Sequence, residues 1–130
     1  DRDGAGETIL VVDDDPNVRE VAATMLRRVG FTVLTADDGG QAVDTYRERH
    51  AEIAGVIMDL TMPVMDGQEA AAAMVAIDPD VRILLSSGYT EQVATLRFNG
   101  WQPAGFIQKP YRGNELVGRL RAALGGAPDA

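Results

Sequence analysis

Apolar positions along the chain fall into short unbroken runs that alternate with stretches of helical period. Residues 8–12, Thr-Ile-Leu-Val-Val, form a continuous run of the kind buried on both faces of a parallel sheet. Asp13, Asp14 and Asp15 end it and Pro16 opens a helix. In that helix Val18, Val21, Ala22, Met25, Leu26 and Val29 recur at i, i+3, i+4, i+7, i+8 and i+11, one apolar stripe. Gly30 is placed to cap it. Residues 31–36 read as a second strand. Asp37-Asp38-Gly39-Gly40 then turns into a second helix with Ala42, Val43 and Tyr46 on its inner side. A third strand, Val56-Ile57-Met58, drives into Asp59, and a helix from about 67 to 77 follows until Asp78-Pro79 breaks it. Residues 81–86 make a fourth strand ended by Ser86-Ser87-Gly88, and 90–98 a fourth helix reaching Asn99-Gly100. A short fifth strand, 105–108, is closed by Lys109-Pro110. The last helix, about 113–124, carries Leu116, Leu120 and Leu124 at four-residue steps.

Strands that alternate with helices predict an α/β domain: a parallel sheet, helices on both faces, right-handed crossovers. At this length the expected topology is the flavodoxin-like doubly wound (βα)5 sheet of order 2-1-3-4-5. Residues 7–124 form that domain, with 1–6 and 125–130 as tails or linker ends.

Composition narrows the function. The chain has 130 residues, 45% hydrophobic and 25% charged, with no Cys. Disulfides and thiolate metal sites are therefore excluded. A net charge of -8 argues against a general grip on nucleic-acid phosphates. The longest purely apolar run, 70–77, is far short of the ~20 residues that cross a bilayer.

The chemistry collects at strand ends. Strands one, three, four and five deliver Asp13 and Asp14, Asp59, Ser87, and Lys109. In a parallel sheet these ends share one edge, and strands one and three meet at the switch point where such folds bind ligands. A carboxylate like Asp59 is there a helix cap, a metal ligand or a nucleophile. Three crowded carboxylates repel one another, and a hard divalent cation such as Mg²⁺ relieves that. Lys109 is the only Lys in a chain with eleven Arg, a compact charge suited to a phosphoryl oxygen or a carboxylate. Asp15 before Pro16 reads as a helix N-cap and stays outside the site. His50, on a polar helix end without a second His, reads as solvated. Met58, Met62, Met65 and Met74 read as packing, and Trp101 carries no motif.

Four stretches together carry a resemblance: Ile9 to Pro16; Asp59-Leu60-Thr61-Met62-Pro63 with Asp66-Gly67; Leu85-Ser86-Ser87-Gly88-Tyr89; and Gly105-Phe106-Ile107-Gln108-Lys109-Pro110-Tyr111. In this order and spacing the chain resembles the receiver domain of two-component response regulators, most of all receivers attached to hybrid sensor histidine kinases. The resemblance covers about residues 7–124. It implies that Asp59 is the phosphoacceptor for a phosphohistidine. It implies Mg²⁺ as cofactor, held by Asp14 directly, Asp13 directly or through water, Asp59, and the Thr61 backbone carbonyl. Ser87 would bond a phosphoryl oxygen, Lys109 would pair with the phosphoryl group, and the Lys109-Pro110 peptide would be cis. Phe106 stands at the switch-aromatic position and would swing inward as Ser87 moves toward the phosphate. Tyr89, by bulk and position, would shield the acyl phosphate from water. The implied partners are a histidine kinase or histidine phosphotransfer protein and a tethered kinase or output domain outside this chain. Direct nucleic-acid or membrane contact is not expected. The implied location is cytoplasmic, or the cytoplasmic part of a membrane-bound sensor kinase.

Two alternatives remain. A haloacid-dehalogenase-type phosphatase also uses an Asp nucleophile and Mg²⁺, but needs a second Asp two residues on, where Thr61 stands. A receiver that is not phosphorylated would act only as an interaction module.

Overall fold

The computed structural model describes residues 6–60, 67–88 and 103–125, without the side chains of 67 and 68. Their elements run β1 (Thr8–Val12), α1 (Pro16–Arg28), β2 (Thr32–Ala36), α2 (Gly39–Arg49), β3 (Ile53–Asp59), α3 (Gly67–Ile77), β4 (Ile83–Ser87), β5 (Gly105–Gln108) and α4 (Gly113–Ala123). The five strands are all parallel, in the order β2-β1-β3-β4-β5. The expected helix at 90–98, Asp66, Thr61, Met62, Met65, Tyr89 and Trp101 lie outside the described residues.

Strand alternation sorts the interior into two cores. Leu10, Val12, Val56, Met58, Ile83, Leu85 and Phe106 face the α2 and α3 side, packed on Ala42, Val43, Tyr46, Ala70, Ala71 and Met74. Ile9, Val11, Ile57, Leu84 and Ile107 face the α1 and α4 side, packed on Ala22, Ala23, Leu26, Leu116, Val117 and Leu120. Each sheet face is thus covered by helices, as a parallel sheet requires.

Local chemistry fixes the helix ends. The Asp15 carboxylate accepts from the N–H groups of Asn17 at 2.9 Å and Val18 at 3.5 Å, capping α1 as expected. Gly30, at φ 103°, donates to Arg27 while Phe31 donates to Leu26, a Schellman closure that needs the left-handed residue. Asp38 caps α2 by accepting from the Gln41 N–H at 2.7 Å.

Three expectations shift. The fourth strand starts and ends later than residues 81–86 and takes in Ser87, because pairing with β5 runs on to Ser87 opposite Gln108. The inward side of α1 is turned toward Ala23, and Val21 is 50% exposed. Two alanines let α1 lie close on the sheet, which leaves Val18 and Val21 at its flank. His50 is not simply solvated. Its ring lies 5.7 Å from that of Tyr46, one helical turn back, and its Nδ1 is buried with no hydrogen-bond partner among the described residues.

Candidate functional site

The sheet brings the sequence candidates to one edge. Val12 pairs with Met58, so Asp13 and Asp59, the next residues, stand level at the carboxyl ends of neighbouring strands. Asp13 continues the alternation of Ile9 and Val11, Asp59 that of Ile57, and Lys109 that of Ile107, all toward the α1 and α4 side. The Asp13 and Asp59 residues are only 2% and 4% exposed, while Asp14 is exposed. One carboxylate oxygen from each of Asp13, Asp14 and Asp59 lies within 4.8 Å of the other two.

Lys109 closes the cluster. Its Nζ sits 2.9 Å from Asp13 Oδ2 and 3.3 Å from Asp59 Oδ1. Partial burial works to lower the ammonium's pKa, but the hydrogen bond it donates to Asp13 and the charges of Asp59 and Asp13 outweigh it, so the net shift is upward. The Lys109-Pro110 peptide is cis, as the resemblance implies. Burial, and then the Asp13 charge, also pushes the Tyr111 phenol up, against an opposing pull from Lys109.

Ser87 is buried, 2% exposed, and its carbonyl accepts from the Lys109 N–H at 2.7 Å. Ser87 and Lys109 are therefore mechanically tied through the backbone. Phe106 is 5% exposed and packed in the α2 and α3 core, the inward position of the expected swing. Pairing of Phe106 with Leu85 sets that direction, and a ring with no hydroxyl has no polar reason to leave it.

Arg19 is a site neighbour that the stripe reading of α1 passed over. Its Nη1 donates to the Asp13 carbonyl at 2.7 Å. The signal was its spacing, three and four residues before the buried Ala22 and Ala23.

Known proteins bear on this pocket. The family model for the response regulator receiver domain matches residues 9–121. The DNA-binding response regulator MtrA of Mycolicibacterium smegmatis is 34% identical over 118 residues, covering 91% of this chain and 50% of that protein. The chain spans about half the length of the curated relatives it matches. The receiver domain of sensor histidine kinase PA1611 from Pseudomonas aeruginosa PAO1, with a magnesium ion coordinated in its active site cleft, is 28% identical with a TM-score of 0.83. That similarity covers 94% of this chain and 100% of the other. The receiver domain of the hybrid histidine kinase CckA is 31% identical with a TM-score of 0.75, covering 90% and 98%. The sheet order, the acidic pocket and these matches together make the chain a member of the response regulator receiver domain family.

Proposed function

We propose that this receiver accepts a phosphoryl group on Asp59 from the phosphohistidine of a histidine kinase or histidine phosphotransfer protein. The observation that carries the reading is the Lys109 ammonium bridging Asp13 and Asp59 in a pocket of three converging carboxylates. An Asp59 carboxylate oxygen attacks phosphorus and the O–P bond forms. The P–N bond of the phosphohistidine breaks, its electron pair stays on the imidazole nitrogen, and that nitrogen takes a proton from solvent. Lys109 then pairs with a phosphoryl oxygen, and the Ser87 hydroxyl donates to another. The added charge of about -2 biases the surface beyond Ser87 and Lys109, whose backbones are joined.

The donor set fits a hard divalent cation, since two of the three carboxylates are almost buried and all offer oxygen. Asp14 and Asp59 would hold Mg²⁺ directly, Asp13 directly or through water, with the Thr61 carbonyl as a further ligand. When bound, it supplies positive charge for the phosphoryl oxygens. The magnesium in the PA1611 receiver supports this choice.

In this reading the domain signals rather than turns over a substrate: its chemistry is its own phosphorylation and slow autodephosphorylation. It works on the cytoplasmic side, joined to or serving a kinase or output domain outside this chain. Its net charge of -8 supports the absence of direct nucleic-acid contact. Among the described residues no helix is long and apolar enough to cross a membrane.

Incubation with Mg²⁺ and acetyl phosphate, followed by intact-mass measurement, tests the proposal. One added phosphate, lost in Asp59→Asn, is expected. Release of inorganic phosphate with no phosphorylated protein accumulating would favour the phosphatase, and no reaction the interaction module.

A further inference from the structure

The carboxylates of the pocket are held very unequally. Every polar group of Asp13 is engaged. Its N–H donates to Ala36 at 3.3 Å, its Oδ1 accepts from the Asp15 N–H at 2.9 Å, and its Oδ2 meets Lys109 Nζ at 2.9 Å. Its carbonyl lies past the last paired residue of β1, Val12, and accepts from Arg19 Nη1 at 2.7 Å. Asp14 is the opposite case. It is exposed, and its carboxylate has no hydrogen bond or ion pair among the described residues.

Among the described residues no side chain bonds the Asp14 carboxylate, so the backbone aims it into the cluster it shares with Asp13 and Asp59. The peptide joining Asp13 to Asp14 sets that aim, and Arg19 grips this peptide by its oxygen. Arg19 also starts from the inward side of α1, in line with Ala22 and Ala23, where a charged residue is unusual without a polar partner. Its own N–H donates to the Asp15 carbonyl at 3.0 Å, so backbone and side chain of one residue span the whole Asp13 to Asp15 turn.

We propose that Arg19 is a positioning residue for the cation site, orienting Asp14 through the Asp13–Asp14 peptide. The inference rests on the reading of the pocket as a divalent-cation site. It has a built-in discriminator. The guanidinium is positive, so by charge alone its removal should tighten cation binding. Loss of an orienting group should weaken it, as outer-shell changes do by about tenfold or more.

The test compares the wild type with Arg19→Met and Arg19→Lys by Mg²⁺ titration calorimetry, with amide hydrogen exchange of the metal-free proteins alongside. Arg19→Met is expected to bind Mg²⁺ about tenfold more weakly, and its Asp14 and Asp15 amides to exchange faster without metal. Arg19→Lys, which keeps the charge and a donor, is expected to recover part of the affinity. It also carries the comparison should Arg19→Met not fold. Equal or tighter Mg²⁺ binding in Arg19→Met, or in Arg19→Lys if that variant stands alone, overturns the positioning role. A wild type that binds no Mg²⁺ overturns the cation reading itself, before any variant is measured.

Discussion

Replacing Lys109 by Met should reveal how much the pocket depends on a positive charge. Met keeps most of the apolar stem and removes the ammonium. Two carboxylates whose side chains are 3% and 6% exposed then lose their counter-charge. At 2.9 and 3.3 Å, and an effective dielectric constant of about 20, each attraction is about 5–6 kcal/mol in gross terms. Half or more of the sum is offset by the cost of desolvating the ammonium, which in the native protein is partly buried. The net loss should fall at the ~3–5 kcal/mol seen when one partner of a buried pair is removed. Urea unfolding at neutral pH in the presence of a chelator measures it. Adding Asp59→Asn to Lys109→Met should recover much of the loss, because one of the two carboxylates that faced the ammonium no longer carries a charge. Mg²⁺ at about 100 times its Kd should return about 2.7 kcal/mol to the single variant, if the cation binds only the folded chain. The pH profile has a definite sign. The ammonium's pKa is raised above its ordinary 10.5, so its contribution is complete below that value and is lost as pH climbs through the raised one. A Lys109→Met protein within about 1 kcal/mol of the wild type in chelator would refute this account of the pocket.

Three further outcomes follow from other contacts. Burial, then the charge and hydrogen bond of Asp78, pushes the Tyr46 phenol from 10.0 up to about 12. The folded state therefore favours the neutral phenol, and stability should fall between pH 10 and 12; in Tyr46→Phe, urea midpoints should lose that slope. Asp15→Ala removes the α1 N-cap and should cost about 1 kcal/mol in equilibrium unfolding, with little change in Mg²⁺ binding if Asp15 stands outside the site. Phe106→Ala should cost about 3–5 kcal/mol by the same assay, because the ring is already buried; a loss under about 1 kcal/mol would mean that it lies outside the core in solution.

Much of the fold was legible because the central strands carry unbroken apolar runs and most breaks carry Gly, Pro or Asp. The runs at Ile9 to Val12 and Val56 to Met58 could be central strands in a parallel sheet, and that placement carries Asp13 and Asp59 together. The burial of α1 was less legible. Val18, Val21, Met25 and Val29 are more hydrophobic than Ala23, yet Ala23 is the one wholly buried, since close packing of a helix on a sheet selects for small size as well as apolarity. That rotation is also what hid Arg19. The direction of Phe106 depends on the register of β5 against β4, a tertiary property that a four-residue run does not encode. His50 escaped for a similar reason: polar neighbours in sequence said nothing of the Tyr46 ring beneath it.

The central claim is that Asp59, of the three clustered carboxylates, takes the phosphate. Phosphorylating the protein in Mg²⁺, reducing the acyl phosphate with borohydride and mapping the modified peptide tests it most directly. The account predicts reduction at Asp59 alone. Reduction at Asp13 or Asp14, or at none of them, would contradict it.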